Sequence, residues 1–213
     1  PGLIETENRD TALVWNVFRT LELIAPEFWL RRFRARLDAL TSLEPSNRSL
    51  SIRLWAVLPT PFDRSNQDPV CIDALVETET AVYGLMTYHG SDLEFGDTTL
   101  VRPDAVLRVI DAISWYAGAR DCYIGLITSD WSDTPIGGAL IERYRGSRDA
   151  MLRRLPHRRD GLVNVRSIGG MTWRDVAAVM QDCADSDSLN DLERFAARRT
   201  VQWLDSLGIH PTD

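Results

Sequence analysis

The chain has 213 residues, and its 44% of hydrophobic and 26% of charged residues are typical of a globular protein, which excludes a disordered or fibrous one. No Gly/Ser-rich or Pro-rich stretch divides it, so we expect one domain over 1–213. Its apolar runs are far shorter than the roughly 20 residues of a membrane span, and it shows no basic-then-apolar signal pattern. We therefore expect a soluble cytoplasmic protein, of undetermined oligomeric state.

The charged residues exclude two kinds of function. All 24 basic residues are arginine, so no lysine is present to act as a Walker lysine, a Schiff-base lysine or a nuclease lysine. The net charge of −7 argues against a protein that coats nucleic acid nonspecifically, because that affinity comes from neutralising phosphates. Any contact with nucleic acid must therefore be local.

Two amphipathic helices are predicted at the start of the chain. Over 11–25 the apolar residues recur at helical spacing, and Pro26 ends the pattern. A second helix follows over 27–40, with Pro26 at its entry.

The hydrophobic period then changes to that of strands. Apolar runs predict strands over 50–58, 70–78 and 80–88, and the short junction between the last two predicts a tight hairpin. The remaining predicted elements are helices over 103–117, 136–155, 172–183 and 189–207 and a strand over 122–128. Thr172 with Asp175 has the pattern of a helix N-cap, and Gly208 ends the last helix. This order predicts an α/β fold, a mixed central sheet flanked by helices, with a C-terminal helical part from about 170 to 208.

The metal-binding residue types give no local signal for a zinc site. Cys71, Cys122 and Cys183 lie far apart in apolar or helical segments, which predicts buried free thiols. The three histidines are equally scattered, so the fold alone would have to assemble such a site.

The hairpin region carries the clearest motif. Residues 72–88 read Ile-Asp-Ala-Leu-Val-Glu-Thr-Glu-Thr-Ala-Val-Tyr-Gly-Leu-Met-Thr-Tyr, which resembles the core hairpin of the PD-(D/E)xK nuclease superfamily. In that family an Asp opens one strand and the next strand carries Glu-x-Lys, and alternate residues of a strand share a face. The two carboxylates hold Mg²⁺, and the Lys helps to position the attacking water. The resemblance covers about residues 10 to 145 and implies a restriction-endonuclease-like fold.

Half of this motif is absent. Asp73 matches the opening Asp, whereas Leu85 and Thr87 stand where the family has its Glu and Lys. Glu22, on the first predicted helix, matches an acidic residue that many members place there. Leucine supplies no oxygen ligand, so the resemblance implies a nuclease homologue that has lost hydrolysis and needs no cofactor. The rival interpretation is an active Mg²⁺-dependent nuclease in which Asp73, Glu22 and a displaced Glu79 are catalytic and Asp73 binds the metal.

A cluster of arginines follows the predicted strands. Within 143–159 the only acidic residue is Asp149. The arginines are Arg143, Arg145, Arg148, Arg153, Arg154, Arg158 and Arg159. Because a guanidinium suits phosphate oxygens, this cluster is a candidate surface for nucleic acid; a docking surface for a protein partner and a solvated helix face are the alternatives. Trp131 and Tyr144 are candidates for stacking on bases, or else core residues.

Together these features predict a nonhydrolytic nuclease-like module. Such a pseudoenzyme would bind nucleic acid or a partner protein in a bacterial DNA-processing or phage-defence assembly, as the resemblance implies. A purely structural subunit is the third possibility, in which the arginine cluster is replaceable without loss of any nucleic-acid affinity. The alternative to the resemblance itself is that Asp73 is a polar residue near a strand start and Glu22 a partly exposed helical residue.

Overall fold

The computed structural model describes residues 9–37, 50–59, 61, 69–88 and 103–211. Its helices are α1 (Arg9–Leu21), α2 (Pro26–Arg36), α3 (Ala105–Ala117), α4 (Pro135–Gly146), α5 (Arg148–Leu152), α6 (Trp173–Ala184) and α7 (Asp191–Ser206). Its strands are β1 (Ser51–Leu58), β2 (Val70–Glu77), β3 (Ala81–Tyr88), β4 (Asp121–Thr128) and β5 (Val165–Thr172). No helix of these ranges is both long and apolar enough to cross a membrane.

The described strands form one mixed sheet in the order β1-β2-β3-β4-β5. The pairs β1–β2 and β2–β3 are antiparallel, whereas β3–β4 and β4–β5 are parallel. A tight turn joins β2 to β3, in which the Thr78 backbone N–H donates to the Ala81 carbonyl. The predicted α/β architecture with a mixed sheet flanked by helices is therefore confirmed.

Apolar side chains cover both faces of the sheet. Leu13, Val17 and Leu21 recur every four residues along α1, so one side of this helix is buried against the sheet together with α2, α6 and α7. On the opposite face α3 and α4 bury a second apolar cluster, which includes Ile110 and Ile141. Both faces of the central strands are thus removed from water.

Side-chain caps begin four of the described helices, α3, α5, α6 and α7, where the sequence places short polar residues. Thr172 accepts a hydrogen bond from the Asp175 backbone N–H, and Asp175 accepts one from that of Thr172, so the predicted capping pattern is confirmed. Asn190 and Glu193 form the same reciprocal cap on α7. Asp104 caps α3 by accepting the Leu107 backbone N–H at 2.9 Å.

Strand β5 is the element that the local pattern did not predict. Its adjacent glycines, Gly169 and Gly170, are disfavoured in strands when they are judged by local propensity. In the fold, a Cβ on Gly169 would collide with the backbone carbonyl of Leu37, and one on Gly170 would collide with the Trp131 ring. The glycines therefore allow close packing on both faces of the strand, which only the tertiary structure reveals.

Three further expectations need correction. Helix α1 ends at Leu21, so Glu22 lies in the turn that follows it rather than on the helix. The stretch 136–155 is two helices, because Ser147 leaves helical geometry and its side chain caps α5. Cys71 is exposed, whereas Cys122 and Cys183 are buried as expected. The end of the second predicted helix, 38–40, lies outside the described residues.

We expect Gly169→Ala to lower the free energy of unfolding by about 1–3 kcal/mol, because the new methyl group would press on rigid backbone at Leu37. Gly146→Ala is the matched control, since nothing beyond its own helix and chain neighbours lies within 4 Å of its Cβ position, and it should leave the free energy of unfolding unchanged or raise it by up to about 1 kcal/mol. Urea unfolding of both variants measures the difference. Equal stabilities would contradict the close packing of α2 on β5.

Candidate functional site

Strand β2 changes face at Asp73. In a regular strand residues i and i+2 share a face. Ile72, however, lies in the core beneath α3, whereas Ala74 lies in the opposite core beneath α1. Asp73 stands between them, so the backbone of β2 reverses its two faces at this residue.

Strand β1 reverses at the same level. Leu54 packs against the core beneath α1, and Ala56 lies in the core beneath α3. Trp55, between them, has a φ of 51°, a left-handed conformation that costs a non-glycine residue on the order of 1–3 kcal/mol. The pairs on either side of it place Trp55 opposite Asp73. Its ring stacks on Trp15 of α1 at a centroid distance of 6.0 Å, which holds the strained residue in place.

The Asp73 carboxylate joins β2 to β3 where the reversal separates them. The β2–β3 ladder runs from Glu77↔Val82 to Ala74↔Leu85. Beyond it, Thr87 donates its backbone N–H to Asp73 Oδ2 at 2.7 Å and its hydroxyl to the same oxygen at 3.2 Å. The carboxylate therefore accepts the hydrogen bond that a backbone carbonyl accepts in a regular ladder.

A pocket of about 360 Å³ lies beside this joint. The first residues of β2, the last residues of β3 and the first turns of α3 line it. Its polar side chains are those of Cys71, Asp73, Thr87, Tyr88 and Arg108. The volume is near the lower end of the range for small-molecule sites, about 300–1,000 Å³.

Burial sets the protonation of the acidic groups here. It raises the pKa of Asp73 above its ordinary value, the hydrogen bonds from Thr87 act in the opposite direction, and the charge of Asp10 at the start of α1 raises the pKa further. Burial and the charge of Asp73 likewise raise the pKa of the Cys71 thiol. The thiol is therefore kept in its protonated, weakly nucleophilic form.

The other predicted carboxylates lie elsewhere. Glu22 pairs with Arg19 through both carboxylate oxygens at 2.7 Å. Glu79 lies in the β2–β3 turn, beyond Glu77. The four residue-to-residue steps from Asp73 to Glu77 alone span about 13 Å of strand. The structure thus brings Asp73 and Thr87 together but does not bring Glu79 to them.

Glu77, the last residue of β2, is also fixed in place. Burial acts to raise its pKa, but hydrogen bonds from Tyr116 and Arg120 and the charges of Arg53 and Arg120 lower it below the ordinary value. Arg53 and Arg120 each lie 3.0 Å from its carboxylate. Glu77 is therefore held by this network, away from Asp73.

These residues do not fit the Mg²⁺ site that the resemblance implies. Leu85 is fully buried in the core beneath α1, where its side chain packs near Gly125. Within the described ranges, no group of three His, Cys, Asp or Glu side chains is arranged to hold a metal ion. One of the two Asp73 carboxylate oxygens, Oδ2, already accepts two hydrogen bonds from Thr87.

Four arginines of the 143–159 cluster make internal contacts. Arg145 and Arg148 donate to the carbonyls of Ile168 and Val165 at 3.1 Å, which occupies carbonyls on an edge strand. Arg154 pairs with Asp104. These arginines therefore bind parts of the fold to one another.

The fourth internal arginine, Arg158, is buried. It pairs with Asp111 of α3 at 2.8 Å and with Asp160 at 2.7 Å, and it donates to the Ser114 hydroxyl. His157, the neighbouring residue, also contacts Asp111 at 2.8 Å. This network attaches residues 157–160, which precede β5, to α3.

The other members of the cluster, Arg143, Arg153 and Arg159, are exposed. Tyr144 is buried and donates its hydroxyl to Asp104, so it is a core residue. Trp131 is 37% exposed and packs over Gly170. Arg145 and Arg148 are also exposed despite their contacts with β5, so of the seven arginines only Arg154 is half-buried and only Arg158 is buried.

Sequence reasoning missed several residues of this site. Asp10 acts on Asp73 from the start of α1, although Glu22 was the expected acidic residue of that region. A possible signal was its position at the beginning of an amphipathic helix. Trp55, Tyr88 and Arg108 carried no local signal, because their roles depend on a strand reversal and on the packing of α3.

Comparison with protein-family models, with curated proteins and with solved structures finds no match for this chain. The resemblance of the hairpin region to the PD-(D/E)xK superfamily therefore stays a prediction.

The raised pKa of Asp73 predicts how stability depends on pH. A raised Asp pKa means that the folded protein binds the proton more tightly, so this group's contribution to stability falls as the pH rises from the ordinary Asp range through the raised pKa. Asp73→Asn has no titrating carboxyl at this position, so it removes this pH-dependent loss of stability. Its stability relative to the wild type should therefore be more favourable at about pH 7 than at about pH 4.

Asp130→Asn is the matched control, because Asp130 also accepts a backbone N–H and a hydroxyl, both from Ser132, but is exposed and has a lowered pKa. Its contribution is lost only as the pH falls below the ordinary Asp range, so its difference from the wild type should stay nearly constant over the same window. Urea unfolding at both pH values measures both variants. A constant difference for Asp73→Asn would contradict the raised pKa.

Proposed function

We propose that this chain is a nonhydrolytic, PD-(D/E)xK-like module that binds a partner protein within a bacterial DNA-processing or phage-defence assembly. The observation that carries the proposal is the use of the Asp73 carboxylate as a structural joint with Thr87. In this position the residue that the resemblance makes catalytic stabilises the hairpin instead.

The surroundings of the joint support the loss of hydrolysis. Leu85, at the position of the family's Glu, is 0% exposed and packs in the core, so replacing its contacts with a charged ligand would be costly. Thr87, at the position of the family's Lys, has no charge and uses its hydroxyl on Asp73. The order of a helix, a strand, a hairpin, a helix and a strand over 9–128 agrees with the expected order.

A protein partner is favoured over nucleic acid by the charges. The chain carries a net charge of −7, and four of the seven clustered arginines contact carboxylates or carbonyls of the same chain. Nonspecific affinity for nucleic acid grows with the number of phosphates that a protein neutralises. Arg145 and Arg148 are exposed but donate to carbonyls of β5, so Arg143, Arg153 and Arg159 are the exposed members of the cluster that these contacts do not engage.

One observation favours the second candidate, an active Mg²⁺-dependent nuclease. The charge of Asp10 acts on Asp73, so two carboxylates influence one site. This pair differs from the set of Glu22 and Glu79 with Asp73 that the sequence predicted. Asp73 and Asp10 are two carboxylates, and within the described ranges no third His, Cys, Asp or Glu side chain completes a metal-binding group with them.

We expect no cleavage of single-stranded or double-stranded DNA or RNA, with Mg²⁺ or Mn²⁺ in excess, because the described ligand set does not fit a metal. Isothermal titration with Mn²⁺ should likewise give the same result for the wild type and for Asp73→Ala. The titration measures whether the metal binds, and the cleavage assay measures whether hydrolysis occurs.

Glu79→Ala is the control variant, since Glu79 lies at the far end of the hairpin. Cleavage that both Asp73→Ala and Asp10→Ala abolish, and that Glu79→Ala leaves intact, would establish the active nuclease and overturn the nonhydrolytic module. Contaminating nuclease would be insensitive to all three substitutions.

Affinity for nucleic acid provides a separate prediction. At physiological salt, labelled DNA and RNA should bind with a Kd no lower than the nonspecific range of about 10⁻⁶–10⁻⁴ M. Fluorescence anisotropy measures this for the wild type and for the combined Arg143→Gln, Arg153→Gln and Arg159→Gln variant. Binding well below a micromolar Kd that the triple variant loses would instead make the chain a nucleic-acid module.

A further inference from the structure

The outward face of α7 is the surface that the proposed function leaves without a role. Ala197, Val201 and Leu204 bury one side of this helix against the core. Leu192 and Phe195 are three residues apart, so they lie together on another side of the helix. Leu192 is 69% exposed and Phe195 is 59% exposed. Two adjacent large apolar side chains are therefore presented to solvent on a long, well-capped helix.

Charge is distributed unevenly along this face. Asp187 and Asp191, before and at the start of α7, have almost fully exposed side chains, and Arg194 bridges them at 3.6 and 2.5 Å. Arg198 and Arg199 follow Phe195 and are exposed. Phe195 thus stands between an acidic end and a basic end of the same surface.

A helix face that has acidic residues before a central apolar residue and basic residues after it is complementary to the same face of a second, antiparallel copy. When two identical helices pack antiparallel about a twofold axis, residues three or four positions before the axis face residues three or four positions after it. With the axis at Phe195, Asp191 of one copy, four residues before the axis, faces Arg199 of the other, four residues after it, and Leu192 faces Arg198. The opposed helix dipoles add to the attraction.

We propose that two copies of this chain form a dimer through the outward face of α7, with Phe195 of both copies at the twofold axis and Asp191 of each facing Arg199 of the other. The self-complementary charge pattern selects a second copy as the occupant, because an unrelated acidic partner would leave Asp187 and Asp191 facing like charge. The dimer does not depend on the proposed function, because α7 lies outside the Asp73 pocket.

Sedimentation velocity from about 1 to 100 μM tests the proposal, and the wild type should shift from monomer to dimer with concentration. Phe195→Glu should raise the Kd of the dimer on the order of tenfold or more, because it places two like charges at the axis. Arg199→Glu should weaken the dimer, and adding Asp191→Arg to it should restore the affinity, because the ion pair is then re-formed in the opposite sense.

Val163→Glu is the matched control, since Val163 is 61% exposed at another place in the fold and its replacement should leave the Kd unchanged. Urea unfolding of each variant checks that the fold is retained. A wild type that stays monomeric over this range would overturn the proposal. A dimer that resists Phe195→Glu, or that the charge exchange fails to restore, would equally overturn it.

Discussion

The hydrogen bonds from Thr87 to the Asp73 carboxylate are the interaction on which the architecture of this site depends. At this level β1 and β2 both exchange their faces. The ends of the strands near Leu58 and Val70 pack beneath α3, and the ends near Ile52 and Val76 pack beneath α1. The exchange interrupts the regular ladder between β2 and β3, and a buried amide hydrogen without an acceptor would cost about 1–3 kcal/mol. The carboxylate supplies the acceptor. Its burial raises the pKa of Asp73, which is the electrostatic consequence of using a charged group as a structural joint.

Arginine has a comparable structural use around β5, at the edge of the sheet. Arg145 and Arg148 bind carbonyls of the edge strand β5, and Arg158 connects Asp111 of α3 to Asp160 in the segment before β5. A planar guanidinium with five donors can satisfy several acceptors at once, which suits it to such junctions. The same residues that suggest a phosphate-binding surface in the sequence thus hold β5 to the fold, and this favours a protein partner over nucleic acid as the object of the proposed module.

The Asp73 pocket and the outward face of α7 lie on different surfaces of the fold. The pocket beside Asp73 combines a carboxylate, a phenol and a guanidinium, and it lies where the hairpin meets α3. The outward face of α7 lies on the helical layer that covers the opposite face of the sheet. A dimer through α7 would leave the pocket of each copy accessible, so the dimer would present two copies of the same site to a larger assembly. Such duplication raises the effective concentration of the second site for a bivalent partner.

The sequence by itself determined the elements whose signals are local. Apolar periodicity predicts α1, α3 and the strands β1 to β4, and the Thr172 and Asp175 pair fixes the start of α6, because these signals lie within a few residues of the structure they describe. It also identified Asp73 as the residue to examine. Only the tertiary structure decided that β5 forms despite Gly169 and Gly170, that Asp10 rather than Glu79 acts on Asp73, and that four of the seven clustered arginines contact acceptors of the same chain. Each of these outcomes depends on contacts between residues far apart in the chain, and local propensity contains no information about such contacts.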